Sequence, residues 1–109
     1  MNVHVEQRNG AVILQPDGDV DLASSPTLRT CLQDTQLDSG ARIVIDLSSV
    51  QYMDSSGVAT LVECLQRTRN AGAELHLCHL NERVLSVFQI ARLDGVFSIV
   101  GTVDDAIAN

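Results

Sequence analysis

Apolar and polar positions alternate through Val3 and Val5, and after Asn9-Gly10 the run Ala11-Val-Ile-Leu-Gln leads into Pro16-Asp17-Gly18. Two short extended runs joined by Asn-Gly predict a β-hairpin, because both turn residues tolerate the left-handed backbone that a tight hairpin needs. Asp19-Val20-Asp21 continues extended, and Ser24-Ser25-Pro26 offers a cap followed by proline at the first helical position. The spacing then predicts a helix over residues 26–37, with Leu28, Cys31, Leu32 and Thr35 on one stripe. Asp38-Ser39-Gly40 breaks it, and residues 42–47 form a β-branched run of the kind found in a strand covered on both faces. Beyond a polar loop, Asp54-Ser55-Ser56-Gly57 opens a segment with Val58, Leu61, Val62 and Leu65 at helical spacing, which stops at Asn70-Ala71-Gly72. A strand over residues 74–79 follows. A helix is then expected from near Asn81, carrying Val84, Leu85, Val87, Phe88 and Ile90 and ending near Asp94-Gly95. Residues 96–100 read as the last strand and residues 102–106 as a short capped helix.

After the hairpin, strands and helices alternate. That order predicts an α/β fold in which an N-terminal hairpin leads into a mostly parallel central sheet, with helices mainly on one side. With 109 residues, one domain over positions 1–109 is expected. Hydrophobic residues make up 45% of the chain but aromatic ones only 3%, so the interior must be built from Val, Leu, Ile and Ala. No internal repeat, linker or low-complexity block interrupts the pattern.

Fourteen acidic residues against seven arginines, with no lysine, give a formal net charge of -7. Such a field repels phosphate backbones and anionic lipid, so neither direct nucleic-acid binding nor membrane insertion is expected. The opening residues lack a basic leader and an uninterrupted apolar stretch, and no apolar run approaches the roughly 18 residues of a membrane span. Cys31, Cys64 and Cys78 are odd in number and widely spaced, as suits a reducing cytoplasm better than a disulfide framework. A cytoplasmic location is the expectation.

The Asp54-Ser55-Ser56-Gly57 segment carries the most chemistry, since it lies where a buried strand exits and a helix starts, among unpaired backbone N–H groups. One reading makes Ser55 or Ser56 an N-cap and Gly57 a point of close packing. The other makes a serine there a modification site. A phosphate adds about -1.5 to -2 charges, which a helix N-terminus tolerates but a docked partner or a neighbour such as Asp54 does not. The segment lacks the spacing of a nucleotide-binding loop and of a hydrolase nucleophile elbow. His76, Cys78 and His79 fall in one predicted strand, where alternation puts His76 and Cys78 on one face and His79 on the other. With no second cluster of donors in view, ordinary strand packing is expected there and no metal or cofactor. Cys64 reads as a small core residue, Arg67 and Arg69 as a solvated helical face, and Asp104-Asp105 as charge suited to a first helical turn.

The string from Val44 to Val58, Val-Ile-Asp-Leu-Ser-Ser-Val-Gln-Tyr-Met-Asp-Ser-Ser-Gly-Val, resembles the signature of the STAS domain, the fold of bacterial anti-sigma factor antagonists. Gly18-Asp-Val-Asp21 is similar to that family's segment before the first helix, Ala71-Gly-Ala-Glu-Leu75 to its next helix-to-strand corner, and residues 84–100 to its third helix and last strand. The resemblance implies a non-enzymatic regulatory binding module. By it, Ser56 is the residue phosphorylated by an anti-sigma factor with serine kinase activity, the unmodified form binds that factor, and a serine phosphatase restores binding. Asp21, Asp54, Ser55, Ser56 and Gly57 would shape the docking face. An accessory STAS subunit of a lipid-transport ABC ATPase is the alternative that the same resemblance allows. Val58-Ala59 stands where many members carry Leu-Gly, and Arg92 where a glycine is common.

Overall fold

Five strands form one sheet in the order β1-β2-β3-β4-β5, namely β1 (Asn2–Arg8), β2 (Ala11–Asp17), β3 (Arg42–Asp46), β4 (Glu74–Cys78) and β5 (Ser98–Val100). In the computed structural model, which describes residues 1–108, four helices join them: α1 (Ser25–Asp34), α2 (Ser55–Ala71), α3 (Glu82–Ile90) and α4 (Val103–Ala108). The β1–β2 pair is antiparallel and every other pair is parallel. Asn9 and Gly10 both sit at positive φ, +52° and +79°, as the two central residues of a type I′ hairpin turn must.

Strand order that follows chain order has a geometric consequence. Right-handed crossovers between successive parallel strands, all stepping the same way, put every crossover helix on one face. Accordingly α1, α2 and α3 bury Leu28, Leu32, Leu61, Leu65, Val84 and Phe88 against Leu14, Ile43, Ile45, Leu75 and Leu77 of the sheet. Helix α4, which follows the last strand and is free of that constraint, closes a smaller core of Ala11, Ile13, Val44, Cys78 and Ala106. Strand β3 is therefore covered on both faces, as its unbroken apolar run implies. Phe88 meets Phe97 edge-on, with ring centroids 5.3 Å apart.

Several boundaries differ from the sequence expectation by a few residues, and three of them have a clear hydrogen-bonding reason. Helix α1 stops at Asp34 because Thr35 turns extended and the guanidinium of Arg67, on α2, donates to Leu32 O at 2.8 Å and Gln33 O at 3.3 Å. Arg67 thus adds a donor to the carbonyls at this helix end, where Leu32 O also accepts from Thr35 N–H, rather than standing on a solvated face. Strand β5 begins only at Ser98, since the amides of Val96 and Phe97 both turn back onto Leu93 O.

Helix α3 ends at Ile90, where Leu93 N–H bonds Phe88 O and Arg92 N–H bonds Gln89 O. This is a Schellman motif with Arg92 in its left-handed position, at φ +59°. Helix α2 closes with the same pair of bonds, from Ala73 to Thr68 and from Gly72 to Arg69, but with a glycine at φ +71°. A side chain raises the energy of the left-handed region, whereas glycine enters it without a Cβ clash. Arg92→Gly is therefore expected to stabilise the fold by about 0.5–1 kcal/mol, part of the relief being offset by a more flexible unfolded chain. A higher urea midpoint at unchanged slope would register it; an unchanged or lower midpoint would show that the position is not strained.

Candidate functional site

The loops that leave β2 and β3 are tied to each other. Val20 and Met53 form an isolated parallel bridge, with Val20 N–H bonded to Tyr52 O at 2.9 Å and Asp54 N–H to Val20 O at 3.0 Å. Both side chains are fully buried, so the apolar pair anchors two polar loops. Asn81 joins a third loop by donating its side-chain amide to Val50 O and Gln51 O, while its oxygen accepts from Val84 N–H and caps α3.

On this platform Asp54 is the N-cap of α2. Its Oδ1 accepts from Ser56 N–H at 2.9 Å, from Gly57 N–H at 3.4 Å and from the Ser56 hydroxyl at 2.5 Å. The expectation that Ser55 or Ser56 caps the helix is thereby corrected, because the carboxylate one step earlier already takes the free amides. Ser55 is exposed, Ser56 half-buried and Gly57 buried. The hydroxyl of Ser56 thus sits on the second residue of the helix, engaged with an anion and within reach of solvent.

That arrangement holds the Asp54 carboxyl below its ordinary value. The Ser56 hydroxyl contributes most; the amides of Ser56, Gly57 and Leu22 add to it, and partial desolvation opposes it. A carboxyl whose folded pKa is depressed contributes stability above the unfolded value, near 3.8, and loses that contribution as pH falls below it. The urea midpoint of the native chain is expected to fall more steeply from neutral pH into this acid range than that of Asp54→Asn, which keeps an acceptor but cannot titrate. Parallel curves for the two proteins would remove Asp54 as the acid-sensitive group.

Asp21 is held by its own turn. Its carboxylate accepts from Ala23 N–H and Ser24 N–H, while the Ser24 hydroxyl accepts from Asp21 N–H and donates to Asp19 O. Ser24 consequently gives α1 no side-chain cap, and Pro26 is the second residue of that helix rather than the first. The Val20–Met53 bridge brings Asp21 to the same face as Asp54, Ser55, Ser56 and Gly57, so all five candidate residues meet at the carboxyl ends of the strands. Two neighbours escaped the sequence reading. Leu22, whose backbone amide faces the Asp54 carboxylate, has 78% of its surface exposed, and half-exposed Tyr52 has the Arg83 guanidinium 5.9 Å from its ring centre. The available signal for Leu22 was the Asp21–Ser24 turn, which ends the alternation that would have paired Leu22 with buried Val20.

Elsewhere, Cys64 is a core residue as expected, and burial pushes its thiol up to about 11 against a smaller opposing pull from Arg67. His76 lies against Ser98, Nδ1 to Oγ 2.7 Å. His79 departs from strand alternation at φ +57°.

A serine held by an acidic N-cap thus opens α2 beside an acidic turn, at the carboxyl ends of a mostly parallel sheet whose strand order follows chain order. Residues 2–106 match the STAS domain family, and the chain belongs to it. It is 32% identical over 99 residues to the anti-sigma-B factor antagonist of Bacillus subtilis (strain 168), covering 91% of this chain and 90% of that protein. An anti-sigma factor antagonist from Mycobacterium paratuberculosis has the same fold, with a TM-score of 0.88 at 23% identity over 98% of this chain and 91% of the other. The anti-sigma factor antagonist SpoIIAA in its unphosphorylated form superposes with a TM-score of 0.76 at 20% identity, covering 97% and 93%. Among the described residues, no helix is long and apolar enough to cross a membrane.

Proposed function

We propose that this protein is an anti-sigma factor antagonist that docks, unmodified, onto an anti-sigma factor with serine kinase activity and is released when that kinase phosphorylates Ser56. A serine phosphatase returns it to the binding form. The observation that carries the reading is the half-buried Ser56 hydroxyl, 2.5 Å from the Asp54 carboxylate, on the face that also presents Asp21 and exposed Leu22. The relatives that bear the antagonist name support the general role.

Transfer of a phosphoryl group replaces the hydroxyl hydrogen by a dianionic group. The donor to Asp54 disappears, and the new anion is repelled by the carboxylate that the hydroxyl formerly touched. The phosphate must then swing away from Asp54 toward solvent, onto the surface where a partner would sit. The fold tolerates this, because Asp54 still accepts from the backbone amides and the start of a helix favours negative charge. Ser56 is preferred over Ser55 because only its hydroxyl is polarised by a carboxylate acceptor.

The test has two arms. Incubation with the cognate kinase and ATP should add one phosphoryl group to the native chain and to Ser55→Ala but none to Ser56→Ala, as read by intact mass. Calorimetric titration should show tight binding for native and Ser56→Ala proteins and a loss for the phosphorylated form. Phosphate on Ser55, or equal affinities for the two forms, would overturn the switch.

A further inference from the structure

The face of the sheet under α4 carries donor atoms that the Ser56 site does not use. Asp46 ends β3 and Cys78 ends β4, and the register pairs the two directly. Both alternate with residues of the main core, so they share the side of Val44 and Ala106. A continuing strand would send His79 to the opposite face; its left-handed backbone turns the ring back instead. As a result a carboxylate oxygen of Asp46, Sγ of Cys78 and a ring nitrogen of His79 all lie within 4.8 Å of one another.

Metal–ligand bonds of about 2.0–2.3 Å in a tetrahedron put the ligand atoms about 3.3–3.8 Å apart. The cluster needs to contract by only about 1 Å to reach that spacing, and exposed His79 is free to supply the movement. A second layer orients the carboxylate: Ser48 N–H donates to Asp46 Oδ1 at 3.0 Å, and the Gln15 amide lies 3.4 Å from Oδ2 and 3.0 Å from the Ser48 hydroxyl. A thiolate, an imidazole and a single carboxylate form a mixed soft and borderline set that suits zinc-class cations and disfavours Mg2+ and Ca2+, which want oxygen throughout.

We infer that Asp46, Cys78 and His79 bind a zinc-class divalent cation with three protein ligands and a fourth position facing water on the His79 side. On binding, the metal–sulfur bond forms as the Cys78 thiol proton passes to the buffer. The strand pattern could not reveal this set, because its third donor comes from β3, more than thirty residues earlier in the chain.

Titration of the full chain with Co2+ alone, anaerobically and at mildly alkaline pH, tests the site. A near-ultraviolet thiolate-to-cobalt charge-transfer band should saturate at one equivalent and be bleached by Zn2+. Cys78→Ser should abolish the band and Cys31→Ser should leave it intact. His79→Ala, at an exposed position, and Asp46→Asn should each weaken Co2+ binding at least about tenfold, which keeps the test decisive if the buried cysteine variant fails to fold. A missing band, a band lost with Cys31→Ser, or an affinity unchanged by both His79→Ala and Asp46→Asn would overturn the assignment.

Discussion

Phosphorylation of Ser56 is expected to weaken anti-sigma factor binding about thirtyfold to several thousandfold, corresponding to about 2–5 kcal/mol. The magnitude follows from adding a dianion to a surface whose flanking carboxylates, Asp21 and Asp54, already set its sign. A partner complementary to the unmodified face must then desolvate the phosphate or stand away from it. Surface plasmon resonance on the phosphorylated chain would read the loss mainly as faster dissociation if the phosphate lies inside the footprint. Ser56→Asp, with one charge on a shorter side chain, should fall between the native and phosphorylated forms. Circular dichroism of the phosphorylated chain should match that of the native protein, because the cap on the Ser56 and Gly57 amides survives. A melted α2 in the modified protein would mean that binding is lost through unfolding, and the charge account would fail.

Gly57→Ala is expected to destabilise the chain by about 1–3 kcal/mol, the usual cost of forcing extra volume into a packed core. A Cβ at this position would lie 2.6 Å from Met53 Cγ and 2.7 Å from Val20 Cγ1. Neither neighbour has room to yield: Val20 is 0% and Met53 1% exposed, and the valine side chain is stiff. Alanine is the better helix former by up to about 1 kcal/mol, but that advantage is realised in helix interiors and is small against the clash in a first turn. Because Val20 and Met53 are also the bridge between the two loops, separating them should reduce partner binding as well as the urea midpoint. A variant with native midpoint and native affinity would show the bridge to be soft.

Much of the fold could be read from local pattern because its causes are local. The Asn9-Gly10 turn, the apolar run of β3 and the helical spacing from Val58 to Leu65 depend on residues adjacent in the chain or one turn apart. The boundaries that shifted depend on partners far away in sequence, as when Arg67 adds a donor at the end of α1. The candidate site divides the same way. Asp54-Ser55-Ser56-Gly57 is contiguous and stood out as a helix entry, yet the assignment of the cap to Asp54, and with it the anionic contact on Ser56, is a matter of side-chain geometry.

Hydrophobic periodicity and turn chemistry were by themselves sufficient to determine a mostly parallel α/β domain with a serine at the mouth of its second helix, since backbone sterics and burial act over a few residues. Only the tertiary structure decided that Leu22 joins that serine, that the Val20–Met53 bridge is what packs against Gly57 and carries Asp21 to the site, and that Asp46 stands beside Cys78 and His79. Each of those juxtapositions comes from strand register and loop bridging, which bring together atoms that no local pattern relates.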